Sequence, residues 1–560
     1  MRTLIVSINS QYIHSNLAVW YLKASCSAVG IDTKVMEFSI NQTTENVYSE
    51  IMKQSPEVLC FSVYIWNVEF IKKLCDDIKK VSPRTVIILG GPEVTYNSAE
   101  ILEQNSCIDF CICGAGERSL AELLQRIELG KSVNDIDGVS YVCNGEIVSR
   151  GISKVSFCDT VSPYTEEMLS FCSGKIFYYE SSRGCPFGCS YCLSSCDDGV
   201  MYLSVSRVFE ELTAIVKAGY KLIKFVDRTF NANAKRSYEI VEFIINNTGD
   251  ATFHFEIGAD LLTDELIKLL ATAPPGKIQL EAGIQSTNEK TLEAINRKAD
   301  LVNLFKRVRQ LVNVGNIHMH VDLIAGLPFE DYRSFSQSFN EVYSLGSHEL
   351  QLGFLKLLYG TKIRIDADEN GYLFRDYSPY EFLQSSWLTF DEVIKLKGIE
   401  RVFELFGNGG RFCFTLEFLQ KRFGSAFEMF EHIASCLNLN DRPFSLVNRY
   451  RLLVWYIEEN FDEEMLEICK QLMRFDFRHS CIRNEMPTEI KVNGYDYVKL
   501  KQRFELSDTR VRMGDISRGS GIYVEEFRFN PVTFEREVVN FVFDYGTKSF
   551  VSGLCEFYEF

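Results

Sequence analysis

Two successive runs of short apolar strands, separated by amphipathic helical stretches, constrain the fold of this 560-residue chain more than any other feature. In the first run, Leu4–Ile8, Lys34–Phe38, Val58–Val63, Thr85–Leu89 and Asp109–Cys113 read as strands, with helices over Ser15–Val29, Asn46–Lys53 and Val68–Lys80. Apolar runs of this length between helices imply a doubly wound parallel sheet, whose ligand crevice lies outside the carboxyl ends of the strands. In the second run the strands are Lys175–Glu180, Leu222–Val226, His254–Gly258, Ile278–Ile284, His318–Ile324 and Leu350–Leu355. Six strand–helix units suit a partial (β/α)6 barrel, which places its chemistry at the same strand ends. The expected layout is α/β: a Rossmann-like domain over 1–145, a linker over 146–174 and a barrel over 175–370. An α+β carboxy-terminal part follows, helical over 371–480 and strand-rich over 481–560, as in Glu489–Val492 and Glu537–Phe543.

The first strand of the second run leads into Cys185-Pro-Phe-Gly-Cys189-Ser-Tyr-Cys192. Three thiolates on one short loop can converge on an iron–sulfur cluster, which takes four ligands, so a local triplet leaves one iron open to something else. A zinc loop with Cys196 as fourth ligand, or three incidental thiols, is the alternative. The 18 cysteines are scattered through apolar segments rather than laid out as a secreted disulfide framework, which points to a reducing cytoplasm. No apolar run reaches the ~18 residues of a membrane span, and the first strand starts at Arg2, so neither a membrane segment nor a signal peptide is expected. A formal charge of −17 disfavours broad contact with a phosphate backbone, although a local basic groove is compatible with it. A small molecule or a peptide is the expected substrate class.

The cysteine spacing, with Tyr191 before the third cysteine, resembles the cluster loop of the radical S-adenosylmethionine (SAM) superfamily. That resemblance implies a [4Fe–4S] cluster on Cys185, Cys189 and Cys192, SAM on the open iron, and a 5′-deoxyadenosyl radical from reductive SAM cleavage. It also implies SAM contacts from Tyr191, from Asp227 and Thr229 after the second barrel strand, and from Glu256 on the third. Gln285 and Ser286, with Arg297, match the fourth-strand segment, and Leu323–Pro328 matches the turn near adenine.

No Gly-x-Gly-x-x-Gly follows the first strand, so a conventional dinucleotide site is not expected. The strand ends instead resemble the cobalamin-binding domain that precedes the barrel in one large group of these enzymes. The implied cobalamin contacts are Ser10, Gln11 and Tyr12, then Ser62, Tyr64 and Trp66. Gly90, Gly91, Pro92 and Glu93 follow, with Gly114, Gly116 and Glu117 as the last loop. Glycines there would let the backbone approach a bulky ligand closely. His14 occupies the place of a cobalt-ligating histidine, but the aspartate that would orient its ring is missing and Leu17 replaces the closing glycine. His14 is therefore expected to be a polar loop residue.

The turn within Phe403–Phe412 resembles a clade whose carboxy-terminal domain has no assigned function. Its Phe- and Leu-rich helices either wall a substrate cavity or form plain core. Together the resemblances imply a cobalamin-dependent radical SAM methyltransferase acting on an unactivated carbon, supplied with electrons by a reduced flavodoxin- or ferredoxin-type donor. Rearrangement or cyclisation with the same cofactors is an alternative, as is a cobalamin-bound accessory protein. A further alternative is tRNA methylthiolation, which needs three more cluster cysteines. Cys60, Cys107, Cys111 and Cys113 meet the count, but their strand positions suit buried structural thiols.

Overall fold

The computed structural model describes residues 1–196, 199–437, 439, 444–480, 485–492, 497–513 and 521–560. They form two compact units. The first comprises Met1–Leu270, Lys290–Asp300 and Phe354–Ser386, and the second Ala271–Glu289, Leu301–Gly353 and Trp387–Phe560.

In the first unit, β1 (Thr3–Asn9), β2 (Thr33–Ser39), β3 (Val58–Ser62), β4 (Val86–Gly90), β5 (Phe110–Ile112), β6 (Val139–Cys143) and β7 (Glu146–Ser149) make one sheet in the order 2-1-3-4-5-6-7. The first five are parallel, and β6 and β7 are added antiparallel. Near-continuous apolar strands such as Leu4–Ile8 and Val58–Phe61 are buried because helices cover both faces. The chain leaves β1 for β2 on one side and β3 on the other, so the strand order reverses there and a crevice opens beyond the carboxyl ends. Register aligns Ser7 with Ser62 and Ser62 with Gly90, which brings three strand-end loops to one edge. The sheet runs on past residue 145 through β7, because Asn144 and Gly145, both at positive φ, close a tight hairpin between β6 and β7.

The same unit holds β8 (Phe177–Tyr179), then the antiparallel pair of β9 (Ser182–Gly184) and β10 (Val200–Tyr202) that brackets the cysteine loop. Strands β11 (Leu222–Phe225) and β12 (Thr252–Ile257) complete its share of the barrel, β11 pairing in parallel with β8 on one side and β12 on the other. In the second unit β13 (Ile278–Gln285) and β14 (His318–Ala325) pair in parallel, and β15 (Glu349–Phe354) is the sixth barrel strand in sequence. Alternate residues of β12, β13 and β14 are buried while those between are half-buried, the two-residue period of strands with one apolar face.

The rest of the second unit is α+β. Helix Phe390–Phe406 packs Phe403 edge-on against Phe339 and Phe430, so these aromatic helices are core. Just before Gly409 and Gly410, both at positive φ, Asn408 exchanges two side-chain amide bonds with the backbone of Leu350. The strands arrive later than the sequence suggests. Thr488–Ile490, just after Pro487, is a 3-10 turn and Tyr497–Glu505 a helix, and among the described residues Glu489–Val492 pairs with no strand. The sheet of this region is β18 (Ile522–Phe527), β19 (Val539–Lys548) and β20 (Cys555–Glu559), counting the short pair β16 (Leu373–Phe374) and β17 (Phe382–Gln384) before it. Phe475 of helix Glu463–His479 seals it against Phe527, Phe541 and Phe543.

Candidate functional site

Gly184 sets the start of the cysteine loop. At φ +95 it lies so close to its β10 partner strand that a Cβ would stand 2.1 Å from the carbonyl oxygen of Gly199. The loop is then pinned from a second segment: Ser190 N–H donates to Ile295 O at 2.9 Å, and Asn296 Nδ2 donates to Gly188 O at 2.9 Å. Cys189 is buried, and burial pushes its thiol up, opposed by Arg297, whose Nη1 lies 3.7 Å from the sulfur. Cys185 and Cys192 are half-buried, and Thr229 Oγ1 is 3.4 Å from the Cys185 sulfur. Tyr191 is packed inward, its hydroxyl held protonated by burial. A zinc ion with bonds of about 2.3 Å needs sulfurs about 3.8 Å apart. Among the described residues, no three cysteine sulfurs gather within 4.8 Å of one another. Cys111 and Cys113 are buried, Cys60 lies in the sheet, and burial pushes the Cys60, Cys107 and Cys111 thiols upward.

Fully buried, Asp227 accepts from Ser181 N (2.7 Å), Ser181 Oγ (2.6 Å) and Ser182 Oγ (2.5 Å), bracing the strand that enters the loop. Arg297 is likewise stacked beside the loop, its guanidinium 5.7 Å from the Phe187 ring centre. Glu256 occupies the half-buried face of β12. In the second unit, the pairing of β13 with β14 shifts register between Gly283 and Gln285, and Gln285 adopts φ +73. Its Oε1 is buried and has no hydrogen-bond partner among the described residues. Ser286 donates to Glu330 Oε1 at 2.6 Å, and Ser338 donates to the same oxygen at 2.7 Å. Burial pushes the Glu330 carboxyl up to about 7, against the pull of the two serines.

A cavity of about 1070 Å³ opens in the first unit beyond the strand ends of the first sheet. Ser10, Ser62, Tyr64, Trp66, Gly90, Gly91, Pro92, Gly114, Gly116 and Glu117 line it. Gln11 and Tyr12 do not; Tyr12 is 80% exposed. Glu93 is turned away, buried, with Tyr380 Oη donating to its Oε2 at 2.8 Å. The glycines act differently from expectation. A Cβ on Gly91 would meet Val63 O at 2.5 Å, and one on Gly114 would meet Ser153 O at 2.4 Å, so their missing side chains serve backbone–backbone packing. Tyr64 and Trp66 stack at 4.5 Å, and Trp66 Nε1 donates to Ile8 O.

The opposite wall comes from the barrel side. Tyr178, Glu180, Ser182, Arg183, Met201, Val226 and Arg228 reach it, with Leu193, Ser194 and Cys196 from just after the third cysteine. Sequence reasoning missed these residues; only the run Ser182–Gly184 before Cys185 could have flagged Arg183. Arg183 bridges Glu117 (2.8 Å) and Glu180 (2.9 Å) and lies over the rings of Phe157 and Tyr21. Burial alone would lower its pKa, but the two carboxylates more than offset that, so it stays charged. His14 lines the cavity with Nδ1 2.6 Å from Tyr178 Oη, and burial lowers its pKa.

Three family models match: B12 binding domain over residues 3–124, radical SAM superfamily over 179–342, and a protein of unknown function (DUF4080) over 368–521. The cobalamin-dependent radical SAM methyltransferase TokK of Streptomyces tokunonensis is 27% identical over 315 residues, 52% of this chain and 46% of that protein. The 2-(S-pantetheinyl)-carbapenam-3-carboxylate methyltransferase of Streptantibioticus cattleyicolor is 27% identical over 319 residues, again 52% and 46%. The matches thus span about half the length of these relatives. The solved structure of the cobalamin-dependent SAM radical enzyme OxsB, with aqua-cobalamin and SAM bound, shares the fold at TM-score 0.61 and 14% identity, covering 85% of this chain and 75% of that one. Domain order, cysteine loop and fold agree: the chain carries a B12 binding domain, a radical SAM superfamily domain and a carboxy-terminal domain of unknown function, in that order.

Proposed function

We propose that this chain is a cobalamin-dependent radical SAM methyltransferase acting on an unactivated carbon of a small molecule or peptide. One observation carries the reading. A single cavity is lined on one side by the strand ends of the B12-binding sheet and on the other by the segment leaving the three cysteines. The residues fit the implied groups. The cavity is large, of the size that takes a bulky cofactor. Cys185, Cys189 and Cys192 are the three thiols a site-differentiated cluster requires. Bound together, cobalamin and SAM supply methyl-group chemistry and a carbon-centred radical, and the protein supplies binding and orientation.

This chain's residues do the rest. Asp227 and Gly184 fix the path of the cysteine loop, and the Arg297 guanidinium lies beside the Cys189 sulfur, where a cation favours thiolate. Trp66, Tyr64 and the Glu117–Arg183–Glu180 cluster give the cavity an aromatic side and a charged side. The methyltransferase names of both relatives support methyl transfer, and one of them names a small-molecule substrate. The electron donor is a small reduced flavodoxin- or ferredoxin-type protein, and the setting is the cytoplasm. Among the described residues no helix is long and apolar enough to cross a membrane.

The test is anaerobic reconstitution with iron, sulfide and hydroxocobalamin, then incubation with methyl-labelled SAM, a low-potential reductant and fractionated cell extract. Label should enter a low-molecular-weight or peptide fraction, and Cys189→Ala should abolish both labelling and 5′-deoxyadenosine formation. Full 5′-deoxyadenosine formation by Cys189→Ala would overturn the cluster assignment. Label confined to RNA would overturn the substrate class.

A further inference from the structure

Residues 354–386 leave the barrel and return across the first unit, touching both sides of the cavity. On the cysteine-loop side, Ile363 N–H donates to Ser190 O at 3.0 Å, and the Cys196 thiol lies 3.5 Å from Gly360 O. On the B12-binding side, Tyr380 Oη donates to the buried Glu93 carboxylate at 2.8 Å and Ser378 Oγ donates to Ile65 O. Gly360, at φ +86, is pressed so flat on the Tyr96 ring that a Cβ there would fall 2.4 Å from it. Tyr96, Trp66, Pro92 and Cys196 all line the cavity, so every one of these contacts except that to Ser190 lands on or beside a lining residue.

The segment is itself stiff. The Arg364 guanidinium lies 3.7 Å from the Tyr359 ring centre and 5.0 Å from that of Tyr380. Leu357 N–H donates to Tyr380 O, and Phe382 N–H to Leu355 O. Tyr380 adopts φ +57, a conformation uncommon for a residue with a Cβ and kept only where the surroundings over-determine it.

We infer that residues 354–386 form a positioning strap that sets the B12-side loops after β3 and β4 against the cysteine loop, with the Tyr380–Glu93 hydrogen bond as its anchor. The strap holds the two cofactor loops at one separation, which a transfer between two bound cofactors demands to within a fraction of an ångström. Tyr380 is therefore a positioning residue: it acts through Glu93 and the Gly90–Tyr96 turn rather than on a reacting atom. The inference rests on the cobalamin reading above only for its consequence in function, since the strap itself is visible without cofactor.

Hydrogen exchange on the full-length, cofactor-free chain tests the strap alone. Tyr380→Phe removes one oxygen and strands the buried Glu93 carboxylate. Amides in 63–67 and 91–97 should then exchange about tenfold faster, with the second unit unchanged. Ser378→Ala, a milder change, should speed 63–67 only. Glu93→Gln keeps an acceptor for Tyr380 and should retain wild-type protection. With hydroxocobalamin as the probe, Tyr380→Phe should weaken the dissociation constant about tenfold, while 5′-deoxyadenosine formation from SAM stays within twofold of wild type. Unchanged exchange in both Tyr380→Phe and Ser378→Ala would overturn the strap. Unchanged hydroxocobalamin affinity together with altered exchange would overturn its positioning role. A wild-type chain that binds no hydroxocobalamin would instead sink the cobalamin reading and leave the exchange result to decide the strap.

Discussion

Glu330 carries an ionisation that the fold has moved by burial. Its carboxyl rises from 4.5 to about 7 although Ser286 and Ser338 both donate to it. A raised carboxyl pKa means that the folded state binds the proton more tightly than the unfolded chain. Stability from this group is thus greatest below about 4.5 and falls as pH rises toward about 7. The loss is on the order of 3 kcal/mol across that window, from about 1.4 kcal/mol per pH unit. Asp476, also buried and pushed up to about 7, adds a slope of the same sign, so the comparison must be between variants. Glu330→Gln should flatten its share of the slope, seen as a smaller drop in urea midpoint between pH 5 and 7.5. An identical drop in variant and wild type would show that Glu330 is ionised in the fold throughout. His14 is a second case at this scale. The sequence lacks an aspartate to orient its ring, yet Tyr178, 164 positions away, takes Nδ1 at 2.6 Å. No local motif could announce that partner.

Glycines mark where two elements meet, and their reason differs from the one their spacing suggests. Gly91 and Gly114 follow β4 and β5 as a ligand-approach role requires, but each clears a backbone carbonyl instead. Gly184 is the most constrained, with no space for a Cβ between β9 and β10. Gly184→Ala should splay that pair and lower iron incorporation to well under half of wild type, although all three cysteines remain. Iron per chain after reconstitution, with circular dichroism to confirm folding, is the measurement. Full iron loading would show that the β9–β10 pair does not shape the loop. Strand assignment in the carboxy-terminal part turned on the same kind of context. Glu489–Val492 has strand composition, but it pairs with no strand among the described residues, and its first two residues belong to the 3-10 turn Thr488–Ile490 that follows Pro487. The paired stretch Val539–Lys548 forms the central strand of its sheet.

At the scale of the molecule, the cavity of about 1070 Å³ predicts hydroxocobalamin binding near one per chain. Trp66→Ala removes the stack on Tyr64 and the bond to Ile8 O, and should weaken that binding by up to about tenfold, given about 0.5–1.5 kcal/mol for such an aromatic contact. An absorbance titration reads it directly, and an affinity equal to wild type would place the ligand away from this wall. The domain order, the two strand–helix runs and the three cysteines were legible in the sequence, because periodicity and motif spacing are local properties. So were most of the strand-end residues on the B12 side, since parallel strands bring their carboxyl ends to one edge whatever the side chains. What tertiary structure alone decided was the direction each side chain takes once there. Asp227 turns inward to brace Ser181 and Ser182, Glu93 turns to Tyr380, and Arg183 reaches between Glu117 and Glu180. Buried charged groups must find a partner or hydrogen-bond donors wherever the fold places them, and those lie up to 287 positions apart here. Spacing along the chain carries no record of such distances.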